Sequence, residues 1–275
     1  MRKWIGIGVV LVGIGIAGFL SPWSNWSHNW NTIKVDEQSI VSADGVKRIA
    51  VQTNSENVRL ALGAGDDVKI RLQGRVTEKR WSNQNVIASV ADGTLDIRMK
   101  PTDSVIGYNV YQLSLTVEVP SKVYESLVLK SGSGDIALDG LTIDDMKLNT
   151  DSGDLVLEGM VAKTIAIDTD SGDTALNNTE GALVLKSDSG DIAWTGQRLE
   201  WAVDIATDSG DVYYEADQEP INAAIRFESD SGEGLIERGD KHMQFGSLIT
   251  EQYGSGTPLI SVKTDSGDFV LRSNE

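Results

Sequence analysis

The sequence predicts an all-β protein: a parallel β-solenoid of about 19 residues per coil, with an irregular N-terminal β cap and one N-terminal transmembrane helix. Three observations carry this. An Asp-Ser-Gly-Asp corner recurs at near-constant spacing through the second half of the chain, as in repeat architectures. Apolar and polar residues alternate on both sides of each corner, the period of a strand with one buried face. Near the N-terminus, Trp4 to Leu20 form a 17-residue run with no charge.

In chain order, residues 1–3 form a basic tip carrying Arg2 and Lys3. Residues 4–20, WIGIGVVLVGIGIAGFL, span about 26 Å as a helix, close to the hydrocarbon thickness of a bilayer. The exit Phe19-Leu20-Ser21-Pro22 is a poor cleavage site, so the run reads as an uncleaved anchor. No basic residue follows until Lys34. The positive-inside rule then puts the N-terminus in the cytoplasm and the bulk outside. Residues 21–32 contain Trp23, Trp26 and Trp30, which suit the headgroup region beside a membrane span.

Residues 33–130 are expected to form an irregular β region that caps the stack and shields its first open edge. Within it, residues 49–60 (IAVQTNSENVRL) look like a worn repeat, with Glu56 where the corner glycine should be. Further alternating strands are expected at 68–72, 95–99 and 113–119.

Residues 131–275 hold the regular coils. The corner glycines are Gly134, Gly153, Gly172, Gly190, Gly210, Gly232 and Gly267, separated by 19, 19, 18, 20, 22 and 35 residues. Seven and five residues before each glycine, and two and four after it, stand 28 sites, of which only Thr174 and Gly234 are not apolar. Each repeat is therefore strand, tight corner, strand. A lone hairpin is marginal in water, whereas stacked coils bury continuous apolar columns. The long last interval reads as one coil enlarged by an insertion around MQFGSLITEQYGSGTP. A glycine at the corner suits positive φ.

Charge separates the halves. Residues 1–130 carry a net +3 and residues 131–275 a net −20. Such an acidic half repels nucleic acid and attracts cations, so no nucleic-acid partner is expected. With no cysteine and two distant histidines, thiolate and zinc sites are not expected. The corners should align into two carboxylate ladders. One holds Asp151, Asp170, Asp188, Asp208, Asp230 and Asp265. The other holds Asp135, Asp154, Asp173, Asp191, Asp211, Glu233 and Asp268. Like charges about 4.8 Å apart repel by nearly 1 kcal/mol per pair even in water. Local backbone N–H donors at the turns can offset this. The alternative is a row of weak Ca²⁺ sites at Asp151, Asp154, Asp170, Asp173, Asp188, Asp191, Asp208 and Asp211, supplied by carboxylates and turn carbonyls. Catalysis is not expected, because the carboxylates repeat identically instead of converging once, as a polysaccharide-cleaving acid/base pair would.

Val119-Pro120, the run LVLKSGSGDIALDGL (Leu127 to Leu141) and the recurring TDSGD corners resemble the putative-adhesin family of β-strand-repeat proteins. More narrowly, the chain is similar to the LiaG-like membrane-anchored proteins of Gram-positive bacteria. The resemblance implies a right-handed β-solenoid in an extracytoplasmic position, with no agreed catalytic residues to carry over. The expected function is a membrane-anchored scaffold or interaction module in cell-envelope homeostasis or stress response. Its expected partner is an envelope protein or cell-wall polymer. A Ca²⁺-stabilised rod and a polysaccharide-active enzyme are the alternatives.

Overall fold

A computed structural model describes residues 32–77, 86–100, 111–196, 199–239 and 241–273. The expected anchor at 4–20 and the tryptophan-rich segment lie outside the described residues, among which no helix is long and apolar enough to cross a membrane. Every element among the described residues is a strand. The N-terminal part holds β1 (Thr32–Ser42), β2 (Arg48–Gln52), β3 (Asn57–Leu62), β4 (Asp67–Thr77), β5 (Val86–Ala91), β6 (Thr94–Met99) and β7 (Tyr111–Val119). The regular coils follow as β8 (Val123–Ser131), β9 (Ile136–Asp139), β10 (Thr142–Thr150), β11 (Leu155–Glu158), β12 (Val161–Thr169), β13 (Thr174–Asn177), β14 (Glu180–Ser189), β15 (Ile192–Gly196), β16 (Val203–Ser209) and β17 (Val212–Ala216). The chain ends with β18 (Ala223–Ser229), β19 (Gly234–Arg238), β20 (Lys241–Phe245), β21 (Leu248–Tyr253), β22 (Leu259–Ser266) and β23 (Phe269–Ser273).

These strands form two largely parallel sheets. One has 12 strands in the order β1-β4-β7-β3-β9-β11-β13-β15-β17-β23-β19-β20. The other has 11 in the order β21-β18-β22-β16-β14-β12-β10-β8-β2-β6-β5. Each coil gives one strand to each sheet, joined at the acidic corner. A second turn returns the chain, with a left-handed residue at Gly140, Gly159 or Asn178 (φ 71°, 59° and 47°).

All 28 apolar-column sites are buried. Of the two departures, Gly234 has a physical reason. A Cβ there would lie 2.3 Å from Ile249 Cδ1, so a β21 side chain fills the place in the column. The buried Thr174 hydroxyl has no partner, and nothing in its surroundings accounts for it. Further buried columns follow the bend in the long strands. Ile143 and Met146 both face inward, which breaks the alternation. The bend adds the set Tyr124, Ile143 and Ala162, and the return turn adds Leu141, Met160 and Thr179.

The coils do not stack wholly in chain order. Residues 49–60 form a true coil, with Ile49, Val51, Val58 and Leu60 buried in the four columns as expected. It sits between β8–β9 on one side and a further coil, β6–β7, on the other. At the opposite end, β22–β23 is not an enlarged final coil. It is inserted between β16–β17 and β18–β19, pairing in parallel with both. The segment expected as an insertion supplies β20 and β21, which run antiparallel on the edges of β19 and β18. Both ends use this device, because β4 and β5 lie antiparallel on β7 and β6. An antiparallel strand cannot continue a parallel coil, so it stops further stacking at an edge that would otherwise recruit strands.

Candidate functional site

The corners line up along one edge of the stack, and each is built by a division of labour among five residues. The first, a Ser or Thr, points inward. Thr53, Ser131, Thr150, Thr169, Ser187, Thr207, Thr264 and Ser229 form a buried hydroxyl column. Thr150, Thr169 and Ser187 each donate to the carbonyl two residues on, at 3.0 Å. This turns the chain and satisfies a buried polar group at once. The glycine permits close approach of coils. A Cβ on any of the seven would stand 1.9–2.6 Å from the carbonyl oxygen of the neighbouring coil's corner. Positive φ, the expected reason, holds only at Gly153, Gly172, Gly190 and Gly210.

The last residue of each corner forms the second ladder, and its bonds run between coils. Asp135 Oδ1 accepts the Asp154 N–H at 3.1 Å, Asp154 that of Asp173 at 3.0 Å, and Asp173 that of Asp191 at 2.9 Å. Asp191 accepts from Asp211 at 2.9 Å and Asp211 from Asp268 at 2.8 Å. Asp268 in turn accepts from Glu233 at 2.8 Å, so the ladder follows the stack rather than the chain. Asn57 starts it. Its amide bonds the Asp135 N–H through Oδ1 and Asp135 Oδ2 through Nδ2. Charge-assisted bonds of this kind offset the mutual repulsion.

The first ladder has no such support. Asp151, Asp170, Asp188, Asp208, Asp230 and Asp265 are all exposed. Nine ion pairs occur among the described residues, and none involves a carboxylate of either ladder. Burial pushes the Asp135 and Asp191 carboxyls above the usual range, and neighbouring ladder carboxylates add to the rise. The result is an acidic ridge without counter-charge among the described residues. Beside it on the outer face of the 12-stranded sheet runs an uncharged stripe, Ala137, Val156, Ala175, Ala193, Tyr213, Val270 and Leu235.

The repeat that generates this ridge matches the family Toastrack DUF4097 over residues 123–272. The chain belongs to that family. Among solved structures, the toastrack chain is similar to a putative adhesin from Bacteroides fragilis, at 14% identity and a TM-score of 0.49, covering 86% of this chain and 97% of that one. It is also similar to a putative cell adhesion protein from Clostridium sporogenes (14%, TM-score 0.39, 88% and 100% covered). A third likeness is to a putative lipid binding protein from Parabacteroides distasonis (14%, TM-score 0.42, 86% and 96% covered). No curated protein matches the chain.

All eight residues considered for Ca²⁺ lie on the toastrack ridge, alternating between the two ladders. Asp154, Asp173 and Asp191 each commit one carboxylate oxygen to a backbone N–H, and among the described residues no three acidic or histidine side chains converge as a metal-coordinating group. Sequence reasoning missed two features. The hydroxyl column was legible, since Ser or Thr opens every corner, yet its inward direction is set by the turn. The other was the inter-coil direction of the carboxylate bonds, which depends on how adjacent corners are offset.

Proposed function

We propose that this protein is a membrane-anchored, extracytoplasmic interaction module, adhesin-like, which engages a cationic region of an envelope protein or cell-wall polymer along its corner ridge. The observation that carries this reading is the set of thirteen corner carboxylates, none of which is ion-paired among the described residues. A fold can screen such charge with salt, but an ordered row along one edge concentrates potential where a repetitive partner can meet several corners together. The uncharged run at 4–20, preceded by Arg2 and Lys3, supports the anchoring and its orientation. A role in envelope homeostasis or stress response belongs to the same reading.

The test uses the first ladder, whose side chains do no structural bonding. The full chain in detergent should capture partners from envelope extracts, and Asp170→Asn/Asp188→Asn/Asp208→Asn should lose most of that capture while melting at or above the temperature of the unaltered chain. Undiminished capture by the folded triple variant would reject the ridge as the binding surface. Protease added to intact protoplasts checks the topology separately. It should digest the domain after residue 33, and full protection would overturn the orientation.

A further inference from the structure

The insertion of the last coil has a consequence for how two copies can associate. Residues 259–273 form a self-contained unit, β22–β23, held in a slot between β16–β17 and β18–β19. The outer wall of the slot, β18–β21, precedes the unit in sequence. The unit can therefore leave without unthreading any other coil. Its side chains, Ile260, Val262, Phe269 and Leu271, are fully interior, so the vacated slot would expose both walls of the core. The segment joining the unit to the rest is 254–258, with Gly254 and Gly256 in left-handed conformations (φ 49° and 73°).

We propose that this slot accepts β22–β23 from a second copy of the chain, giving a reciprocal coil-swapped dimer. The occupant is specified by the slot itself. Every pairing the unit makes across its two ladders is reproduced when an identical unit enters, which is why swapping adds little energetic penalty to the closed state. The geometry allows it. With the β20/β21 ends of two copies held together by the exchange, the linker must span three strand spacings, about 14 Å, from the end of β21 to the slot beside the partner's β18. Five linker residues reach about 17 Å when extended. The opposing term is electrostatic, because residues 131–275 carry −20 in each copy. Salt screens that repulsion, so the dimer should grow with ionic strength. This inference concerns self-association and stands independently of the ridge's partner.

The chain has no cysteine, which gives a clean reporter. Ser209 of β16 pairs with Ser266 of β22, and both are exposed. Neighbouring strands stand about 4.8 Å apart, within disulfide range. Full chains carrying Ser209→Cys or Ser266→Cys alone cannot form an internal disulfide. They would be mixed in detergent at high concentration and high salt, annealed below the melting temperature, cooled and oxidised. The swap predicts a mixed Ser209→Cys/Ser266→Cys disulfide dimer at least tenfold more abundant than either homodimeric disulfide. It also predicts that the double variant, oxidised beforehand as a monomer, yields no dimer on the same treatment. Equal yields of mixed and homodimeric disulfides would mean collision at the surface and overturn the proposal. So would an undiminished dimer from the locked monomer, or no mixed dimer at all.

Discussion

Gly172 shows what the corner demands of a single residue. Its φ is +109°, and a Cβ would lie 2.3 Å from the Gly153 carbonyl oxygen. Gly172→Ala should therefore destabilise by at least the 1–3 kcal/mol that backbone strain alone brings, with the coil contact adding to it. Gly65→Ala, where nothing lies within 4 Å and φ is ordinary, should stay within about 0.5 kcal/mol. Urea denaturation of the two variants separates them. The hydroxyl column offers a second contrast. Thr169 Oγ1 donates to the Ser171 carbonyl, whereas the buried Thr207 Oγ1 has no partner. Thr169→Val should lose about 0.5–1.5 kcal/mol, the net worth of such a bond. Thr207→Val removes an unsatisfied buried polar group and should leave stability unchanged or raise it by about 1 kcal/mol. Equal losses at both positions would mean that the column is held by shape alone.

At the scale of elements, the coil is the unit that can be removed or exchanged. The interval from Gly210 to Gly267 is 57 residues, three 19-residue periods, yet the coils bearing these glycines are direct neighbours. Deleting 219–256, which is 38 residues, would restore a 19-residue interval and leave β22–β23 on the strands it already pairs with. This variant should fold, with the parallel ladders of β16 and β17 intact. It should also associate end to end, because β20 and β21 no longer cover the last edges. Circular dichroism and sedimentation together check both parts. A variant that fails to fold would show that β22–β23 needs β18–β19 as its second wall.

The whole molecule responds to pH through its charge asymmetry. Asp135 and Asp191 have folded-state pKa values raised, mainly by burial, above those of the unfolded chain. Their contribution to stability is fully present below the unfolded value, near 3.9, and is lost as pH rises through the folded one. Asp36 works in the opposite sense, since its hydrogen bond to Arg71 lowers its pKa. That contribution fades only at more acidic pH. The melting temperature should therefore rise as pH falls from 7 toward the unfolded carboxyl value, about 3.9. Asp191→Asn keeps an oxygen for the Asp211 N–H and should flatten the rise. A melting temperature that falls steadily over that range would contradict the ladder's electrostatics.

By itself, the sequence determined the coil. The alternation around each TDSGD corner fixed which side chains face inward, and all 28 sites obey because a one-residue slip would turn a whole apolar face to water. It also placed the first-half coil at 49–60, since those four columns persist even where Glu56 replaces glycine. There the buried carboxylate accepts the N–H groups of Asn54 and Ser55 and the Tyr111 hydroxyl. What only the tertiary structure decided is the order of the coils. Every coil presents nearly the same columns and the same corner, so β18–β19 and β22–β23 are equally good neighbours for β16–β17 as far as local pattern goes. The choice falls to non-local terms. Ile249 reaches over Gly234, the Glu233 N–H donates to Asp268, and β21 with β20 closes the outer edges of β18 and β19. A repeat encodes its own cross-section well, but its neighbours are set by contacts far apart in the chain.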